Sequence, residues 1–124
     1  MSLHVLGVGT AVPPHHITQA DAARIAADFC GQQKERQRLL SILYRRSGVR
    51  TRHSVVLESS DPAATVRQTF YPPARHEADG GPTTSERMLR YEVHAGPLAV
   101  SAARRALEAS GRQTSDVTHL ITVS

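Results

Sequence analysis

The apolar positions of the chain change period several times, and each change marks an element. Leu3–Val8 (LHVLGV) is short, nearly continuous in apolar residues and interrupted only by His4. Gly9 and then Pro13-Pro14 follow it, so the run predicts a buried strand with an abrupt exit. From Thr18 the period becomes helical. Ala22, Ile25, Ala26 and Phe29 recur at i, i+3, i+4 and i+7, which is one apolar stripe. Thr18 is placed to cap this helix, with Asp21 three residues on at the capping-box spacing and Gly31 as the stop. Cys30 sits beside the stripe and reads as a core residue. A second helical pattern runs from about Lys34 to Arg46. Leu39, Leu40, Ile42, Leu43 and Tyr44 are its apolar side, and Gly48 ends it.

Alternation returns in VRTRHSVV. Val49, Thr51 and His53 fall on one side and Arg50 and Arg52 on the other, the pattern of a short strand. Residues 58–85 show no sustained period and hold four Pro and the Gly80-Gly81 pair. A connection of that length in a domain is usually functional or mobile. Its Phe70-Tyr71-Pro72-Pro73 patch is expected to pack down. Glu86–Ser110 predicts a long helix with Ser85 as its cap. Val93, Val100, Ala103 and Leu107 form the stripe, Gly96-Pro97 is a point of kinking or division, and Gly111 is the stop. DVTHLITVS, with its β-branched residues, predicts a final strand. Strands separated by helices imply an α/β layered fold with the first and last strands parallel.

Composition narrows the function classes. With 124 residues, 40% hydrophobic but only 4% aromatic and no Trp, the core must come from Ala, Val, Leu and Ile. The net charge is +4, and 14 of the 15 basic residues are Arg. Arg favours phosphate, because its planar fork donates two hydrogen bonds at once. Without a basic run or aromatics interleaved with the Arg, nucleic acid is not the expected partner. A single Cys excludes an internal disulfide and suits a reducing, cytoplasmic setting. No apolar run approaches the ~20 residues of a membrane span, and no signal peptide is evident.

Few residues present themselves as chemistry. Gly7 and Gly9 follow a strand, but position 12 is Val and Pro13-Pro14 come next, so the dinucleotide fingerprint fails and a tight strand exit is the reading. His15-His16 lack a neighbouring ligand cluster and read as a solvated pair; no metal site is expected. Cys30, at a helix C-terminus, is in the wrong field for a thiolate. The acids are dispersed and read as solvated surface. The best candidate is RRSGVRTRH, residues 45–53, which combines a helix end, a Gly and four Arg. Bidentate phosphate contacts and an ordinary basic helix terminus are both open on these residues alone.

Four segments taken together, in order, are more specific: GVGTAVPPHHITQAD, RRSGVRTRH, GPTTSERMLRYEVHAGPLAVSAARRALEASG and DVTHLITVS. The set resembles the N-terminal part of bacterial type III polyketide synthases, the chalcone-synthase-like condensing enzymes of the thiolase fold. The resemblance covers essentially the whole chain. GVRTRH is shared more widely, including with ketoacyl-ACP synthase III. The helix over Lys34–Tyr44 and the long loop with GPTTSERM favour the polyketide family. The resemblance implies that residues 1–124 are an incomplete N-terminal domain of an αβαβα thiolase-like fold. It implies a parent acyltransferase that condenses an acyl-CoA starter with malonyl-CoA by decarboxylative Claisen chemistry. The family's Cys, His and Asn have no counterpart here, so no catalytic residue is assigned and the chain alone is expected to be inactive. Arg46 matches a basic residue that contacts coenzyme A phosphates in the family. The family's further basic positions hold Ile42 and Leu39 here, with Arg38 and Arg45 as substitutes on the same helix. Coenzyme A thioesters would be substrates, with no permanent cofactor. The implied partner is a second full-length copy or a complementing C-terminal chain. Alternatives are a fragment of a ketoacyl-ACP synthase III-like enzyme, or a non-catalytic or split subunit.

Overall fold

Helices carry most of the regular structure, in the order β1 (His16–Thr18), α1 (Gln19–Phe29), α2 (Lys34–Arg46), β2 (Thr51–His53) and α3 (Thr84–Ser110), then a 3-10 turn at Thr114–Asp116. The computed structural model describes residues 2–29, 34–76 and 78–123; Cys30 and Gly31, assigned above to the core and to a helix stop, lie outside them. The described residues divide into two units, Pro13–Glu92 and a second made of 1–12 with Val93–Ser124.

In the first unit, Thr18 ends β1 and caps α1 at once. Its Oγ1 accepts the Asp21 amide at 3.1 Å, which satisfies one of the free N–H groups of the first turn. The apolar stripe of α1 does what its spacing predicts. Ala22 is buried with Ile17 of β1 and Leu57, and Ile25 and Tyr44 pack on that cluster. The stripe of α2 behaves differently: Leu39 and Leu43 are 58% and 60% exposed, and no α2 residue is fully buried. Gly48 follows α2 with φ of 70°, a left-handed conformation that reverses the chain without a Cβ clash.

β1 and β2 pair antiparallel with His16 opposite His53, Ile17 opposite Arg52 and Thr18 opposite Thr51. His16 and Thr18 face outward while Ile17 faces the core; Arg52, opposite Ile17, shares that face of the ladder but is exposed, as is all of β2. The Phe70-Tyr71 patch packs down as expected. Tyr71 meets Phe29 at 5.4 Å between ring centres, Phe70 stands edge-on to Tyr71 at 4.9 Å, and the Arg90 guanidinium lies 5.2 Å over Phe70. Pro72 and Pro73 stay exposed.

The second unit corrects three expectations. Leu3–Val8 and the DVTHLITVS segment form no ladder among the described residues, so the parallel pairing of first and last strands is not found. A strand exists only where a neighbouring strand takes its backbone N–H and C=O groups, and these segments have no such neighbour among the described residues. Their side chains are correspondingly bare: Leu3 is 95% exposed and Ile121 87%. Next, α3 is one helix across Gly96-Pro97 rather than two. Finally, Val93 and Val100, on the expected stripe, are exposed at 66% and 52%. The covered face is instead the small-residue row Ala102, Ala106 and Ser110. A Cβ on Gly7 would lie 2.5 Å from the Ala106 carbonyl oxygen, and one on Gly9 would collide with that of Ala102. Gly7 and Gly9 are therefore glycines of close approach. Two extended residues advance about 6.6 Å and four helical residues about 6 Å, so the two rows stay in step. Arg105 fastens the same contact, donating from Nη1 to the Thr10 carbonyl at 2.7 Å.

The cap of α3 also differs from expectation. Thr83, not Ser85, closes it: Thr83 Oγ1 accepts the Glu86 amide at 3.3 Å, and the Glu86 carboxylate accepts the Thr83 amide at 2.7 Å. This reciprocal capping box takes precedence over the single cap inferred at Ser85. Gly111 does stop the helix. With φ of 67° it lets its own N–H reach Glu108 O, while Arg112 N–H reaches Leu107 O, the paired bonds of a Schellman motif.

Candidate functional site

The segment 45–53 is held by Gln19, a residue the sequence reading passed over. Gln19 Nε2 donates to the Tyr44 carbonyl at 2.8 Å and to Ser47 Oγ at 2.7 Å. Its Oε1 accepts from Arg52 Nε at 2.6 Å, and its backbone N–H reaches Arg50 O at 2.9 Å. Ser47 Oγ also donates to Tyr44 O at 2.8 Å. The last turn of α2 leaves carbonyls without helical partners, and Gln19 and Ser47 supply donors there. Arg52 then lays its guanidinium 4.9 Å over the Tyr44 ring, adding a cation–π contact on the inner face. One side chain thus ties the start of α1 to the end of α2 and to β2. Its only sequence signal is a Gln immediately after the helix cap.

Arg38, Arg45 and Arg46 are exposed and have no hydrogen-bond or ion-pair partner among the described residues. Arg45 and Arg46 share the last turn of α2. Arg38 is seven residues earlier, about 10 Å back along the axis and within ~20° of Arg45 around it. The structure therefore brings two of the three together and aligns the third two turns away on the Arg45 face. The helix dipole presents its negative end here, so any anion at this end is held by guanidinium charge against that field. Arg50 is exposed in the turn, whereas Arg52 is committed to Gln19 and Tyr44.

A second polar centre lies under the long loop. Arg67 donates from Nη1 to Asp21 at 3.0 Å, and from Nη2 to the carbonyls of His16 and Ser60, each at 3.3 Å. The two side chains are only 12% and 15% exposed, and Arg67 Nε is buried without a partner. Arg24 pairs with the other Asp21 oxygen. Hydrogen bonds from Arg24, Thr18 and Arg67 lower the Asp21 pKa to about 2. The reading of the acids as solvated surface fails at this residue, because Asp21 is the anchor of the loop. Arg67 reaches it from 46 positions away in the chain, a distance no local pattern reports. Among the described residues no group of three His, Cys, Asp or Glu is arranged to hold a metal. No helix is long and apolar enough to cross a membrane.

No family model matches the chain. The chain is 43% identical over 49 residues to a 1,3,6,8-tetrahydroxynaphthalene synthase of Streptomyces peucetius subsp. caesius, a match covering 40% of this chain and 13% of that enzyme. The crystal structure of PKS-I from the brown alga Ectocarpus siliculosus superposes with a TM-score of 0.67 at 23% identity, over 92% of this chain and 29% of that one. The chain is thus similar over part of its length to a tetrahydroxynaphthalene synthase and in fold to part of PKS-I. Its mixed helix-and-strand fold is that of part of such an enzyme, the thiolase-like α/β class expected from the sequence. The matches span 13% of the length of the first relative and 29% of the second.

Proposed function

We propose that this chain supplies the N-terminal portion of a type III polyketide synthase, which condenses an acyl-CoA starter with malonyl-CoA by decarboxylative Claisen chemistry. The carrying observation is the 43% identity over 49 residues to a tetrahydroxynaphthalene synthase. The proposed task of the chain is to bind substrate, not to react with it. Arg46, with Arg45 and Arg38, would hold the phosphates of the coenzyme A thioester. Their exposure, their lack of internal partners and the anchoring of their helix end through Gln19 support that role. Two cationic positions separated along α2 suit a ligand that carries both a pyrophosphate and a ribose phosphate.

In the family the catalytic Cys thiolate takes the acyl group from coenzyme A, and His and Asn stabilise the oxyanions formed in decarboxylation and condensation. We assign no such residue to 1–124; a second copy of the full enzyme or a complementing chain would bring them. The test is to assay malonyl-CoA decarboxylation by the purified chain, by a candidate C-terminal chain, and by the two mixed. Activity in the mixture alone is expected. Turnover by residues 1–124 without a companion would overturn the reading. In the competent assembly, Arg46→Ala is expected to raise KM for malonyl-CoA several-fold with kcat nearly unchanged. An unchanged KM removes Arg46 from the site.

A further inference from the structure

His16 and His53 face each other across the β1–β2 ladder. Ser54 N–H bonds to His15 O at 3.2 Å and Gln19 N–H to Arg50 O at 2.9 Å. Hydrogen-bonded pairs alternate with non-bonded ones along an antiparallel ladder, so the 16–53 pair falls at a non-bonded position, where side chains stand closest. The His16 amide agrees, since it turns away from β2 and donates to Ser60 Oγ at 3.0 Å. Both residues are exposed, and their ring centres are 5.3 Å apart. Two imidazoles bound through nitrogen to one tetrahedral metal, with bonds of about 2.0–2.1 Å, hold their ring centres about 5 Å apart.

The inner nitrogen of His53 is already engaged in the manner of a ligating histidine. His53 Nδ1 is 2.8 Å from the Pro13 carbonyl oxygen. A carbonyl only accepts, so Nδ1 carries the hydrogen and the neutral ring offers its lone pair at Nε2. His16 Nδ1 lies 3.4 Å from Ser60 Oγ, and its Nε2 has no partner among the described residues. A backbone carbonyl behind a histidine is a common outer-shell support for a metal ligand.

We propose that Nε2 of His16 and Nε2 of His53 bind one divalent late first-row ion, zinc or a chemical relative, with waters completing its coordination. Imidazole nitrogen suits these ions, and two protein ligands on a preformed ladder give a weak, exchangeable site. The neighbouring outward side chains, Thr18 and Thr51, bring no carboxylate, which keeps affinity in the sub-millimolar range.

The experiment titrates zinc chloride into the full chain and follows the imidazole nitrogens by long-range 1H–15N NMR. His16 and His53 Nε2 signals are expected to shift together with one saturation curve, with His15 unaffected. His53→Asn should weaken the shift at His16 by roughly tenfold or more, the range seen when even an outer-shell partner of a ligand is lost. His16→Asn should do the same at His53 while leaving the Pro13 contact in place, and amide spectra of both variants report whether the ladder persists. Independent saturation of the two rings, a response centred on His15, or no shift at millimolar zinc overturns the proposal.

Discussion

Asp21 shows how much one side chain decides in this protein. It caps nothing itself, yet its carboxylate accepts from Arg24 and Arg67 and its amide donates to Thr18 Oγ1. Its pKa of about 2 lies well below the usual carboxylate range. A carboxylate lowered on folding adds stability above its unfolded pKa, and that contribution is lost as pH falls through the folded one. The first unit is therefore expected to lose part of its stability between about pH 4 and pH 2. Asp21→Asn should flatten that part of a Tm-against-pH curve. Asp79 and Glu86 add the same sign, because backbone and side-chain hydrogen bonds also hold their carboxyls low. Arg67→Ala should lower Tm at neutral pH by several degrees, since a mostly buried carboxylate then loses a main partner. A melt indistinguishable from the parent's would show that the loop does not depend on this pair.

Arg46 and Gln19 illustrate a division of labour visible only at this scale. The exposed Arg was legible from the basic helix end and its Gly stop. Its support was not, because Gln19 reaches the Tyr44 carbonyl from 25 positions earlier. Gln19→Ala is expected to loosen the last turn of α2, seen as faster hydrogen exchange at the amides around 44–50. If Arg46 binds phosphate, the same variant also raises KM for malonyl-CoA, by less than Arg46→Ala.

At the level of elements, helix boundaries followed the sequence closely where capping chemistry is local. The α1 cap at Thr18, the span of α2 and the stop at Gly111 are all where spacing puts them. The α3 cap was displaced because two capping residues compete within Thr83-Thr84-Ser85, and only Thr83 also receives the Glu86 carboxylate. Thr83→Ala should therefore cost about 1 kcal/mol, read as a shift in the chemical-denaturation midpoint, with Ser85→Ala close to neutral. The Gly7 and Gly9 row predicts a larger effect in its own unit. Gly9→Ala would put a methyl group into the Ala102 carbonyl, forcing the backbone apart at a cost of about 1–3 kcal/mol. Exchange protection along the second half of α3 should fall in step. Retained protection would show that the approach is looser than it stands here.

For the whole molecule, the exposure of its apolar side chains is the telling quantity. Among the described residues only Ile17, Ala22 and Leu57 are buried apolar side chains. Large apolar residues such as Leu120 and Val123 are 81% and 95% exposed. Apolar area on that scale marks surface that associates. The isolated chain is expected to bind a hydrophobic dye strongly and to sediment as concentration-dependent species. A sharp monomer without dye binding would argue that 1–12 and 117–123 find cover within the chain in solution.

What the sequence determined by itself was everything set by neighbours within a turn or two: the helices, the stops at Gly48 and Gly111, and the cationic end of α2. The segment order was also enough to bring out the resemblance to type III polyketide synthases. Tertiary structure decided what depends on pairing between distant residues. It placed Arg67 under Asp21, set Gln19 against the last turn of α2, turned Gly7 and Gly9 toward the Ala row of α3, and left two strand-like segments unpaired among the described residues. The reason is physical. A helix satisfies its backbone from within its own segment, so local spacing suffices to specify it. A strand, an ion pair or a covered face requires a partner whose position only the folded chain supplies.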